Sequence, residues 1–170
     1  MNTNINNNST KAIVEQVTDN TISWIGHRTS DNKDIVGGQT FTAPQEVDLE
    51  AIEVLTSIVT SPGNVVMTMH NFDPQLKSWG PVLGAASVEL NRADNGKWKA
   101  FNIVGLHLNK GKSYGFRLES LNSYFGLGET VGSFETPLNV NGQEWKFVNN
   151  DQKGQSYSYF SLAFKVAVRA

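Results

Sequence analysis

The segment from Lys97 to Glu119 alternates apolar and polar side chains, and this alternation constrains the fold more than any other feature of the chain. In its second half, Tyr114, Phe116 and Leu118 share one face and the intervening residues share the other, which is the period of a half-buried β-strand. A turn-forming run, Asn-Lys-Gly-Lys at 109–112, separates this strand from an apolar run upstream. The segment therefore predicts two antiparallel strands, with one face in a core and the other in solvent.

Similar apolar runs recur through most of the 170 residues, and turn residues such as the Ser-Pro-Gly-Asn run at 61–64 separate them. The last run alternates from Phe160 to Val168. This spacing predicts roughly nine or ten strands. The predicted fold is therefore all-β: an antiparallel jelly-roll β-sandwich, forming a single domain over residues 21–170. The asparagine-rich residues 1–20 are predicted to form a flexible polar arm.

The charge and cysteine content exclude several classes of function. The formal net charge is −2 and Lys and Arg do not cluster, so the chain lacks the electrostatic footprint of a nucleic-acid-binding protein. There are no cysteines, which excludes disulfides, thiolate metal sites and cysteine nucleophiles. The opening residues do not have the basic and apolar regions of a signal peptide. No apolar run approaches the ~18 residues of a membrane span, so we expect no membrane insertion.

Several segments resemble successive landmarks of one bacterial domain family: Gly38–Pro44, Val82–Leu90, the run LNKGKSYGFRLES and the terminal SLAFKVAV. From about Val36 to Val168, the chain is similar to jelly-roll domains that look like carbohydrate-binding modules and have no known function. Such domains are often appended to secreted, surface or adhesive proteins. The resemblance implies a binding role in an extracellular, cell-surface or virion setting. The family has no established catalytic set, so the resemblance implies no catalytic residue.

Three acidic residues give the sharpest catalytic hypothesis. Glu46, Asp48 and Glu50 are spaced two apart, which on a strand places them on one face. The pattern resembles the catalytic strand of laminarinase-type retaining glycosidases, in which Glu46 would be the nucleophile, Asp48 would tune it and Glu50 would be the acid/base. The alternative is an exposed acidic face. A bulge near Ala51-Ile52 would produce that face by placing Val47 and Leu49 in the core, and it avoids burying three carboxylates.

Exposed aromatic rings and polar loop residues are candidates for glycan contacts, because sugars stack on Trp and Tyr and hydrogen-bond to Arg, Asn and Asp. Trp79 is predicted to be exposed in a loop at 71–80, whereas the other three tryptophans lie in strand-like runs and are predicted to be in the core. The predicted ligand-binding residues are Trp79, Tyr124, Asn122, Arg117, His70 and Asp73. The three histidines are too scattered for a metal site. No cofactor is predicted, although a structural calcium ion is compatible with the Asp and Asn residues of the loops.

Taken together, the sequence predicts a non-catalytic β-sandwich module that binds a glycan or a protein in a bacterial surface, secreted or virion assembly. Two alternatives stay open. One is a laminarinase-like retaining glycoside hydrolase that uses Glu46 and Glu50. The other is a purely architectural decoration protein of a phage or other particle, which would assemble as a homo-oligomer.

Overall fold

The computed structural model describes residues 9–133, 135 and 141–170, and strands dominate them. In this part of the chain there are fourteen strands and one short 3-10 helix, Arg92–Asp94. The strands are β1 (Thr10–Gln16), β2 (Thr21–Arg28), β3 (Lys33–Thr42), β4 (Val47–Ser61), β5 (Gly63–Asp73), β6 (Ser78–Leu90), β7 (Lys97–Phe101), β8 (His107–Leu108), β9 (Ser113–Glu119), β10 (Tyr124–Val131), β11 (Glu144–Val148), β12 (Gln155–Tyr157), β13 (Phe160–Leu162) and β14 (Phe164–Arg169). Every pairing among them is antiparallel. The predicted all-β class is confirmed, with more strands than the nine or ten expected, since β1 and short strands such as β8 add to them.

The strands divide into two layers. Layer A is β1-β14-β4-β10-β2 and layer B is β3-β9-β5-β6, with β11 paired to β3 and β12 to β11. β2 and β3 pair over three residues at their hairpin, where the chain passes from one layer to the other. Ile52 of layer A and Met67 of layer B belong to the same buried core, and a Cβ on Gly37 of β3 would meet the side chain of Ile25 of β2. The layers therefore face each other as a β-sandwich; the jelly-roll connectivity stays a prediction.

The flexible arm predicted for residues 1–20 is wrong for residues 10–16. These residues form β1, which pairs along β14, and Ile13 and Val14 pack against the core. The next residues are also held, since Asn20 Nδ2 donates to the carbonyl of Val131 at 3.2 Å. Averaged over residues 1–20, the Asn-rich run outweighs the short apolar stretch of β1, and the composition therefore predicts a polar arm. Residues 1–8 lie outside the described residues.

The bulge predicted on the acidic strand is present. Leu49 and Ala51 of β4 oppose consecutive residues of β14, which leaves Glu50 as the extra residue. Leu49 and Ile52 are both buried as a result, at 1% and 0% exposure. The prediction that Leu49 lies in the core is confirmed, with the bulge centred just before Ala51.

The loop predicted at 71–80 is wrong. β5 continues to Asp73 and β6 begins at Ser78, so the turn occupies residues 74–77. Phe72 pairs across the hairpin with Trp79. Facing aromatic side chains stabilise antiparallel strands, and this pairing extends the ladder through a segment whose Asp, Pro and Lys residues are typical of a loop.

Candidate functional site

A cavity of about 370 Å³ opens between the layers, where β2 and β10 face β11. Its lining combines apolar and aromatic walls with three ionisable side chains, and consists of Ile22, Ser23, Trp24, Ile35, Glu129, Glu144, Lys146, Val148, Tyr157 and Phe160. The volume lies at the lower end of the roughly 300–1,000 Å³ typical of small-molecule sites. Buried ionisable groups inside such a cavity are a marker of a functional site. We call this the Glu144 cavity.

Two carboxyl groups from different strands meet in the Glu144 cavity. Glu144 and Glu129 are 1% and 6% exposed. Ser23 Oγ donates to Glu144 Oε1 at 2.7 Å, and Thr21 Oγ1 donates to Glu129 Oε1 at 2.7 Å. Glu144 Oε2 is buried and accepts no hydrogen bond from a donor among the described residues.

A single proton explains this arrangement. Burial, together with hydrogen-bonding contact with the Glu129 carboxyl, raises the pKa of Glu144 to about 8. Two carboxylates in contact repel each other unless one of them holds a proton, which then becomes the donor that the pair otherwise does not have. At neutral pH the Glu144 carboxyl therefore holds its proton.

Lys146 supplies the compensating charge. Its Nζ donates to the backbone carbonyl of Trp24 at 2.9 Å, which ties β11 to β2. Burial lowers the pKa of Lys146, while the negative charge on Glu144 and Glu129 acts in the opposite direction. With Glu144 protonated, the formal charges of Glu129 and Lys146 cancel, and a cluster without formal net charge favours a neutral ligand rich in hydroxyl groups over a charged one.

The spacing of the two carboxyls bears on catalysis. Retaining glycosidases hold their two carboxyls about 5–5.5 Å apart, so that a sugar carbon and its leaving oxygen fit between them. Glu129 and Glu144 are in hydrogen-bonding contact instead. Their geometry is suited to accepting hydrogen bonds from a bound ligand more than to that reaction.

Three of the six predicted ligand residues, Trp79, His70 and Arg117, meet on the outer face of layer B. Trp79 is half-buried in β6 rather than exposed in a loop, and its ring lies against Gly38 and Gly115. It makes edge contacts with four rings at centroid distances between 5.5 and 5.8 Å, those of His70, Phe72, Trp145 and Phe147. The prediction of an exposed Trp79 is therefore wrong; the ring is the centre of an aromatic cluster.

His70 is buried inside the same cluster rather than pointing outward. Its Nδ1 lies 2.9 Å from the carbonyl of Gly80, and its Nε2 lies 2.8 Å from Thr68 Oγ1. Burial lowers its pKa. Asp73, also predicted to bind a ligand, accepts hydrogen bonds from the backbone N–H groups of Gln75 and Leu76 in the hairpin turn. Its carboxylate therefore holds the turn.

Asn122 and Tyr124 lie apart from that cluster. Asn122 Oδ1 accepts a hydrogen bond from the backbone N–H of Asn64 at 3.0 Å, so it fixes a turn. The ring of Tyr124 stacks on Trp24 at 5.2 Å, which places it beside the Glu144 cavity without lining it. Of the three tryptophans predicted in the core, Trp145 is 3% exposed, whereas Trp24 and Trp98 are half-buried.

The acidic run of β4 forms a surface cluster with a histidine that the sequence analysis left unassigned. His107 Nε2 lies 2.9 Å from Glu46 Oε1, and its Nδ1 lies 2.7 Å from Asp48 Oδ1. Glu46 and Asp48 are 63% and 73% exposed, so the predicted outward face is confirmed. Glu50 faces Arg169 instead, at 3.9 Å. The two glutamates of the hydrolase hypothesis thus have different partners.

The contact between His107 and Asp48 can be tested directly. Hydrogen bonds that the ring donates to the carboxylates of Glu46 and Asp48 raise the pKa of His107 above its usual value. We expect Asp48→Asn to lower the pKa of His107, because a neutral amide stabilises the imidazolium less than a carboxylate does. An NMR titration of the imidazole signals measures this, with Asp73→Asn as a control remote from His107. An unchanged midpoint in the Asp48→Asn variant would contradict the contact.

Residues 9–133, 135 and 141–170 contain no group of three or more His, Asp or Glu side chains placed to hold a metal ion. Within the same ranges, no helix has the length and apolarity to cross a membrane.

The sequence does not predict the Glu144 cavity, because the residues that line it are far apart along the chain. One local signal was available: in the run Glu-Trp-Lys-Phe-Val of β11, alternation puts Glu144 and Lys146 on one face, opposite Trp145 and Phe147. Two aromatic residues opposite two charged residues predict charges in solvent. In the structure β2 and β10 cover the charged face, and the aromatic face packs on Trp79.

No protein-family model matches the chain, and no curated protein is significantly similar to it.

Proposed function

We propose that this protein is a non-catalytic binding module of a bacterial surface, secreted or virion assembly, and that it holds a neutral sugar residue of a glycan in the Glu144 cavity. The observation that carries the proposal is the buried Glu129–Glu144 pair inside a cavity with aromatic walls. Sugar rings stack on aromatic faces, and their hydroxyl groups donate to carboxyl oxygens.

The size and charge of the cavity support this class of ligand. A volume of about 370 Å³ suits one or two sugar rings rather than a folded protein surface. The near-neutral cluster of Glu129, Glu144 and Lys146 offers acceptors and a donor without a net charge to neutralise. The ring of Tyr157 lies edge-to-face against Phe160 at 5.4 Å, and both line the cavity. Their apolar faces are suited to the C–H groups of a sugar.

A glycan-array screen of the purified chain, followed by calorimetric titration of each hit, tests the proposal. We expect binding of a neutral glycan that Tyr157→Ala weakens about tenfold, since a stacked ring contributes on the order of 1.4 kcal/mol. Tyr159→Ala is the matched control, because Tyr159 is two residues away and 43% exposed. If the two substitutions weakened binding equally, the glycan would not be bound in the Glu144 cavity. No hit, together with a closed oligomer by light scattering, would favour the architectural alternative.

A further inference from the structure

A second cavity, of about 230 Å³, lies on the outer face of layer B beside the aromatic cluster. Strands β5, β9 and β11 and the turn at 149–152 surround it, and its lining includes Thr68, His70, Arg117, Glu119, Asn149 and Gln152. We call it the Arg117 cavity. It is separate from the Glu144 cavity, since the two share no lining residue.

The guanidinium of Arg117 is held in place by rings rather than by acceptors. Its Cζ lies 4.5 Å from the centre of the Trp79 ring and 4.0 Å from that of Phe147. The two rings are nearly perpendicular, at 79°, so they cover two sides of the guanidinium. Among the described residues no carboxylate lies within ion-pair distance of Arg117, and its buried Nε has no acceptor.

A half-buried guanidinium is normally paired, because its N–H groups lose water and need acceptors. Here the rings supply cation–π attraction but no acceptor oxygen. The N–H groups of Arg117 that the rings leave uncovered can therefore serve an acceptor that comes from outside the chain. The rings also restrict the rotamers of the side chain, so little conformational entropy is lost when such an acceptor binds.

The other ionisable groups around the cavity do not form an ion pair with Arg117, so its guanidinium is the group that can bind an anion there. Asp151 accepts hydrogen bonds from the backbone N–H groups of Lys153 and Gly154, so its carboxylate is occupied. Glu119 lies two residues along β9, is exposed, and acts on Arg117 through space without a hydrogen bond. Burial favours the neutral form of His70.

The rim of the cavity is polar and fixed. Asn149 has a left-handed backbone, with φ of 55°, and is held on both sides by Asp34: its N–H donates to the Asp34 carbonyl at 2.7 Å, and its Oδ1 accepts from the Asp34 N–H at 3.2 Å. Gln152 Nε2 donates to the carbonyl of Asn150. These amides are placed to hydrogen-bond hydroxyl groups next to an anion held by Arg117.

We propose that the Arg117 cavity is a second binding site, which takes the carboxylate of an acidic sugar such as a uronate. The planar fork of a guanidinium matches a carboxylate in a bidentate pair. The amides at the rim receive the ring hydroxyls, and the small volume limits the site to about one sugar residue. The site goes beyond the proposed function, because it needs a charged ligand and uses none of the residues of the Glu144 cavity.

NMR on the 15N-labelled chain tests the proposal with glucuronate, with glucose as its uncharged counterpart, and with acetate as the bare carboxylate. We expect glucuronate to shift the indole N–H signal of Trp79 and the Nε–H signal of Arg117 in a saturable way. Acetate should shift the same signals more weakly, and glucose should leave them unchanged. A shift of the Trp24 indole signal instead would indicate binding in the Glu144 cavity, which Trp24 lines. The two tryptophan signals therefore distinguish a failure of the Arg117 cavity to bind from a failure of the Glu144 cavity.

Variants complete the test. Arg117→Lys keeps a cation against the rings but loses the fork, and we expect it to weaken glucuronate binding about tenfold. Glu119→Gln should tighten binding about twofold by removing a nearby negative charge. If Arg117→Lys does not fold, Gln152→Ala replaces it, with a smaller loss expected. Unchanged affinity in the folded variants, or saturable binding of trialanine in place of glucuronate, would overturn the assignment.

Discussion

Replacing Glu144 by glutamine is expected to abolish a loss of stability that the wild-type chain shows as the pH rises from about 5 towards 8. The pKa of Glu144 is about 8 in the folded state, well above its ordinary value of 4.5. Between these values the folded chain holds a proton that the unfolded chain has lost. The free energy of unfolding therefore falls as the pH rises, by up to about 1.4 kcal/mol per pH unit. Glutamine fills the same space and can donate to Glu129 without titrating.

Urea unfolding at several pH values between 5 and 8 measures this difference, with the exposed Glu89→Gln as the matched control. The Glu89→Gln variant should follow the wild-type pH dependence. Lys146 contributes with the opposite sign between its pKa in the folded chain, which burial lowers, and its ordinary value of 10.5. There the unfolded chain binds more protons, and stability rises with pH. If Glu144→Gln and the wild type lose stability in parallel between pH 5 and 8, the shared proton is not at this pair.

Trp79→Ala is expected to lower the free energy of unfolding by about 3 kcal/mol, as removal of a packed aromatic side chain does. In a chain of this length that corresponds to a decrease in Tm of roughly 6–12 °C. The reason is the position of the ring on the backbone of Gly38 and Gly115, with the side chains of Phe147 and Arg117 packed on it. Thermal unfolding followed by circular dichroism measures the change.

Leu76→Ala is the control for Trp79→Ala, because Leu76 lies in the turn of the same hairpin and is 76% exposed. We expect its effect to stay within about 0.5 kcal/mol. Gly115→Ala tests the same packing from the backbone side of the ring, since a Cβ at Gly115 would overlap the Trp79 ring and force it to move. If Trp79→Ala were as mild as Leu76→Ala, Trp79 would be a surface residue after all, as its sequence context predicts.

The period-two pattern predicted the strands well where one face of a strand is apolar and the other is wet. The core face of β9, with Tyr114, Phe116 and Leu118, is an example, and all three are nearly fully buried. The cost of burying carboxylates also led to the right orientation of Glu46 and Asp48. In both cases the residues of one strand contain all the information that is needed.

The pattern does not predict where a second layer of contacts covers the outer face of a strand. Gly38 and Gly115 interrupt the side-chain pattern of their strands, yet the ring of Trp79 packs against both of them. Glycine inside a strand often marks such a close approach. The Glu129–Glu144 pair joins β10 to β11, and no local pattern in either strand identifies its partner. Arg117 was predicted as a ligand-binding residue, but nothing in its own strand indicates that the rings of Trp79 and Phe147 are its neighbours.

The pairing of β1 with β14 also determines how the fold responds to tension. Thr10 lies opposite Arg169, and the N–H of Ala170 donates to the carbonyl of Ser9 at 2.9 Å. A force that separates residue 9 from residue 170 therefore acts first on the outermost hydrogen bond of this ladder and then on each following one in turn. Bonds broken one at a time resist far less load than bonds sheared together. Under tension between these two points, β1 would peel away first, and the remainder of the sandwich would be loaded only afterwards.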